Sequence, residues 1–154
     1  MPLAPDRTPT HEPLNLEVVW DLSDVIDERR EGGPVTAELL AAVAAEAGVP
    51  LSHAYVAASV DPDLDWQSRD TVTVRVCTGG CQAWGAVDVL ERFLALRRAR
   101  AEAGLETFDV VAVACLNTCD RPTAVTSAGP HGYATHPEID AEAADALVAA
   151  LLDD

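Results

Sequence analysis

From Leu16 onward, apolar side chains return every three or four positions, at Val18, Val19, Leu22, Val25 and Ile26. That spacing predicts an amphipathic helix, stopped at Gly32-Gly33-Pro34, where two flexible residues precede one that cannot continue it. Leu39, Leu40, Val43 and Ala44 mark a second helix, capped by Thr36 and closed by Gly48. "PLSHAYVAASV" reads as a short third helix with Ser52 as its N-cap. Residues 15–60 are thus expected to form a small helical segment. Residues 61–70, "DPDLDWQSRD", are polar and turn-rich, and read as a linker. Residues 1–14 are proline-rich and aperiodic, as in a mobile tail.

After the linker the period changes from 3.6 to 2. "TVTVRVC" predicts a strand with Val72, Val74 and Val76 on one face. A long helix is expected from about Gln82 to Ala103, with Val87, Leu90 and Leu94 on its buried side, Ala86, Val89, Phe93 and Leu96 widening it, and Gly104 ending it. "TFDVVAVAC" is more continuously apolar and reads as a central strand. "TAVTSAG" gives a third strand, "GPHGYAT" a turn and a short fourth, and Asp140 caps a last amphipathic helix. The order β-α-β-β-α over residues 71–154 is an α/β arrangement. Its first strand, helix and strand should form a right-handed crossover between parallel strands.

The 154 residues suit a single domain's length of roughly 100–200 residues. All ten basic residues are arginine, and against 26 acidic ones they leave a net charge of −16. Such a surface repels nucleic acid and anionic lipid, so neither is expected as a partner. The N-terminus lacks the apolar core of a signal peptide, and no run approaches the ~20 apolar residues of a membrane span. A cytoplasmic location is therefore expected, and reducing conditions there turn four cysteines towards metal or redox chemistry.

The crossover carries both cysteine pairs, Cys77/Cys81 and Cys115/Cys119, beyond the carboxyl ends of parallel strands, the edge where open α/β sheets place their sites. Three chemistries use such a set. A [2Fe–2S] cluster takes four thiolates as two pairs, a structural zinc ion also takes four, and a thiol–disulfide protein needs only one pair. Both spacings are Cys-x3-Cys with a long interval between them, unlike a zinc ribbon, and a redox dithiol leaves the second pair without a role. Thr78, Gly79 and Gly80 form a tight loop whose backbone N–H groups can donate to sulfur, and Asn117 and Thr118 offer donors on the second loop. Arg75 and Arg121 are the basic residues nearest the ligands in sequence; each reads equally as a charge offset or as half of a surface ion pair.

"VCTGGC", the later "CLNTC" pair, "IDAEAADAL" opening the last helix and the upstream "TAELLAAVAAEAGVPLSHAYVAASV" together give a resemblance. The chain resembles the thioredoxin-like [2Fe–2S] ferredoxins, in particular the small iron–sulfur subunit of the NADH dehydrogenase flavoprotein module and its counterparts in bidirectional hydrogenases and formate dehydrogenases. The resemblance covers roughly residues 17–152. It implies a mixed four-stranded sheet with flanking helices, Cys77 and Cys81 on one iron, Cys115 and Cys119 on the other, one-electron transfer, and a flavoprotein or other redox protein as partner. Two features depart from that subunit: three residues rather than its usual four between the first two cysteines, and the polar "DRPTAV" after the second pair.

Other motifs add little. His11, His53, His131 and His136 share no spacing with the cysteines and read as surface histidines. Trp20 and Trp66 read as core or interface fillers, and Trp84 as a shield for the site. "CTGGC" has neither dinucleotide-binding nor P-loop spacing.

Overall fold

The computed structural model describes residues 10–61, 63–68, 70–116, 121–130 and 132–153. Three helices come first: α1 (Leu16–Arg29), α2 (Ala37–Ala47) and α3 (Leu51–Ser59). Each boundary has a local cause. Asn15 caps α1 by accepting the Glu17 and Val18 amides, and Thr36 caps α2 by accepting the Leu39 amide at 3.0 Å. Gly48 ends α2 in the left-handed conformation, with φ of 69°. The expected cap of α3 is not found. Pro50 precedes the helix, and Ser52 is inside it, fully buried, donating to Glu91 at 2.8 Å. Of the apolar positions on α1, Val19, Leu22 and Ile26 are buried, while Val18 and Val25 face outward.

The second part runs β1 (Thr73–Cys77), a 3-10 turn (Gly80–Trp84), α4 (Ala86–Glu102), β2 (Asp109–Val113), β3 (Val125–Gly129), β4 (Gly132–His136) and α5 (Ala141–Leu152). Asp140 caps α5 through the Ala143 amide, as the sequence predicts. The four strands form one mixed sheet in the order β2-β1-β3-β4. β1 pairs parallel with β2 and antiparallel with β3, which pairs antiparallel with β4. The expected parallel crossover is present, but β2 is an edge strand, not a central one. Its apolar run is explained by α3 and α4, both of which pack on it.

The expected helix from Gln82 is also broken. Gly85, at φ of 92°, separates the 3-10 turn from α4. Val72, Val74, Val76, Val110 and Ala112 are buried on the sheet face under α4, where Phe93 meets Phe108 edge to face at 6.4 Å. One apolar core runs through all of this, from α1–α3 across β1, β2 and α4 to α5, and takes in Leu64 and Trp66 from the segment expected as a linker. Trp66 bridges to Val35 and its ring lies 5.6 Å from that of Tyr55. Trp20 is 56% exposed. Among the described residues, no single helix is long and apolar enough to cross a membrane.

Candidate metal centre

The β1–β2 register sets Cys77 beside Val113, so Cys77 ends β1 and Cys115 follows just past the end of β2. The two loops are then pressed together. A Cβ on Gly79 would sit 2.0 Å from the Ala114 carbonyl oxygen, so only glycine lets the first loop close on the second at this point. Gly80 has open space instead. The Thr78 amide donates to the Val113 carbonyl at 2.7 Å, and the Thr78 hydroxyl lies 3.4 Å from that of Ser59, tying the loop to α3.

Cys77 and Cys81 are both 2% exposed and share a small apolar cluster with Ala86, Ala124 and Leu116. The Cys81 thiol donates to the Cys77 sulfur, as do the backbone N–H groups of Gly79, Leu116 and Cys81. Together these outweigh burial and lower the Cys77 thiol to about 6. Of the three expected loop donors, Gly79 directs its N–H at the sulfur, joined by Cys81; the Thr78 amide is taken by the Val113 carbonyl instead, and Gly80 is not among the donors to Cys77. The Leu116 donor was missed, although its place directly after Cys115 was a usable signal.

Cys115 is exposed. Cys119, the fourth predicted ligand, lies outside the described residues, as do the predicted donors Asn117 and Thr118 and also His131. Among the described residues, no group of three or more Cys, His, Asp or Glu side chains is assembled to hold a metal ion; Cys77 and Cys81 are the predicted ligands that meet. The donor chemistry fits an iron–sulfur group: buried soft sulfur, N–H donors directed at it from both loops, and an apolar lining.

The turn after Cys81 is clamped from outside by a segment without periodicity. Thr10 and His11 donate their amides to the Ala83 carbonyl, and the Leu14 amide donates to the Gln82 side chain at 2.8 Å. Gln82 in turn donates to the Thr78 carbonyl, and His11 meets Asp88 at 2.9 Å. His136 is half-buried at 2.8 Å from the Ser127 hydroxyl, and burial lowers its pKa, unlike the surface histidine expected.

The arginines divide clearly. Arg121 pairs with Glu138 at 2.9 Å, and Arg29, Arg30, Arg92, Arg97, Arg98 and Arg100 all bond carboxylates or carbonyls. Arg75 makes no hydrogen bond or ion pair with the described residues and lines an open groove of about 450 Å³ with Ser59, Trp66, Asp109 and Ala114. By strand alternation it shares a sheet face with Cys77.

No known protein-family model matches the chain, and no curated protein matches it significantly.

Proposed function

We propose that the chain is a [2Fe–2S] electron carrier of the thioredoxin-like ferredoxin kind, either free-standing or the relay subunit of a flavin-dependent oxidoreductase. Cys77 and Cys81 bind one iron, and Cys115 and Cys119 the other. The observation that carries this reading is the convergence of N–H donors from both cysteine-bearing loops on the Cys77 sulfur. Donors so placed favour thiolate over thiol and, with a cluster bound, favour the more negative reduced state. The mixed four-stranded sheet, with its cysteine loops beyond parallel strand ends, agrees with the fold the resemblance implies. When bound, the cluster supplies reversible one-electron chemistry. The chain holds it, excludes water from the Cys77/Cys81 side, and presents the Cys115 side outward. A net charge of −16 suits a partner with a basic docking patch, and association should then weaken steeply as salt rises.

The contact between Cys81 and the lowered Cys77 thiol also favours a second reading, a thiol–disulfide protein that uses this pair alone. One anaerobic preparation separates the readings, assayed for visible absorbance, iron, acid-labile sulfide, zinc and thiols. The cluster reading expects about two irons and two sulfides per chain and bands that bleach with dithionite. One firmly held zinc with no colour, persisting through attempted reconstitution, makes the cysteines a structural site. A metal-free chain with a reversible Cys77–Cys81 disulfide supports the second reading.

A further inference from the structure

Among the described residues, two side chains bury a polar atom that has no hydrogen-bond partner: Trp84 at Nε1 and Thr126 at its hydroxyl. Folded proteins pair nearly all such atoms, so each orphan calls for an explanation. Thr126 lies in β3 as the register partner of Arg75, away from the strand ends that carry the cysteines. Trp84 is different. It closes the 3-10 turn that contains Cys81. Side chains three residues apart eclipse in that geometry, so Trp84 stands on the same side of the turn as Cys81.

The indole N–H can only donate. It needs an acceptor, and the turn places its residue on the same side as Cys81, where a bound iron–sulfur group would bring sulfur. The turn is also held in place before any group binds. Thr123 donates its hydroxyl to the Trp84 carbonyl at 3.3 Å, and Thr10 and His11 hold the Ala83 carbonyl. A donor on a turn held in this way, buried and without a partner among the described residues, is what a site leaves when its acceptor belongs to the bound group.

We propose that the Trp84 indole N–H is a hydrogen-bond donor to a sulfur of the iron–sulfur group held at Cys81, and that it raises the reduction potential of that group. This rests on the cluster reading and assigns Trp84 a positioning and tuning role beyond shielding. The ring and the N–H act in opposite senses. Excluding water disfavours the more negative reduced state, whereas N–H donation to sulfur favours it. Trp84→Phe separates them, because it keeps an aromatic ring over the turn and removes only the donor.

The test uses the full chain, purified anaerobically, with iron and sulfide determined first. Potentiometric titration should give a lower potential for Trp84→Phe at unchanged iron and sulfide content. The reduced wild-type protein, labelled with 15N-indole tryptophan, should show coupling of one indole nitrogen and its exchangeable proton to the unpaired electron by pulsed electron–nuclear double resonance. That coupling should vanish in Trp84→Phe. The labelled wild-type measurement needs no variant, so a poorly folding Trp84→Phe leaves the test intact. Absence of the coupling in a wild type with full iron and sulfide, or a potential unmoved in the variant, overturns this inference alone. A wild type without iron and sulfide overturns the cluster reading and takes this inference with it.

Discussion

The two cysteine-bearing loops sit side by side at one end of the sheet, yet they are built differently. The first buries both of its sulfurs, and is anchored by Thr78 to β2 and α3 and by Gln82 to its own backbone. The second exposes Cys115 and lends the Leu116 N–H to its neighbour's sulfur. One loop is a prepared anionic pocket, and the other is a rim. On the proposed electron-carrier reading the distinction would have a use: the prepared side would hold charge in a dry setting, and the rim would give a partner protein access.

The strongest way to break this comparison is at Gly79. A methyl group there meets the Ala114 carbonyl oxygen at 2.0 Å, and backbone on both sides must move. Gly79→Ala should cost about 3 kcal/mol, the upper part of the range for overpacked sites. It should also part the loops, so that iron incorporation falls with stability. Gly80→Ala, one residue on, meets open space and should stay within about 0.5 kcal/mol of the wild type. Thermal melts and iron content of the two variants read this directly. Equal losses would mean that the loops do not depend on the close approach.

A smaller effect tests whether the first loop is electrostatically prepared. The Cys77 thiol is lowered from an ordinary value near 9 to about 6 by the Cys81 thiol and the three backbone N–H groups. A group whose folded pKa is depressed binds fewer protons folded than unfolded between those two values, so stability rises with pH across that window. The contribution is fully present above about 9 and is lost as pH falls through about 6. Metal-free, reduced protein unfolded in urea should therefore gain stability from pH 6 to pH 9, and Cys77→Ser should flatten that rise. An unchanged slope in Cys77→Ser would place the titration elsewhere, for instance at His136, whose lowered pKa adds a rise of the same sign nearer pH 6.5.

Those features differ in how far the sequence discloses them. Thr36, Gly48 and Asp140 act where they stand, and each fulfils its expected capping role, because a cap depends on its immediate neighbours. The parallel β1–β2 crossover was equally legible, since chain chirality leaves it one hand. Strand order was not. A continuous apolar run says that other elements pack on β2, but it does not say which strands flank it, and here β1 is its one strand neighbour among the described residues while α3 and α4 pack on it. Ser52 misled for a related reason: its hydroxyl is engaged by Glu91, 39 residues away, rather than by the helix end. At the site, the residue types and the Gly-Gly corner were readable. The division of labour between Gly79 and Gly80, the Leu116 donor and the clamp from Thr10 to Leu14 were not, because each depends on a contact across loops that local pattern does not encode.

The finest test concerns charge rather than shape, and compares Arg75 with Arg121. Both stand close to the cysteines in sequence, but Glu138 engages Arg121, while Arg75 has no partner among the described residues. Arg75 lies two residues before Cys77, roughly 6.6 Å along the strand and on the same face. Reduction of a cluster at Cys77 adds negative charge, and an unpaired guanidinium at that range favours it by direct attraction. Arg75→Gln should therefore lower the potential, Arg75→Lys should retain most of it, and Arg121→Gln should change it less, since that charge is already offset. The open groove beside Arg75 admits solvent, so added salt should shrink the Arg75→Gln shift. If Arg75→Gln and Arg121→Gln shift the potential equally, the unpaired state of Arg75 has no electrostatic consequence, and the preparation of the first loop rests on its N–H donors alone.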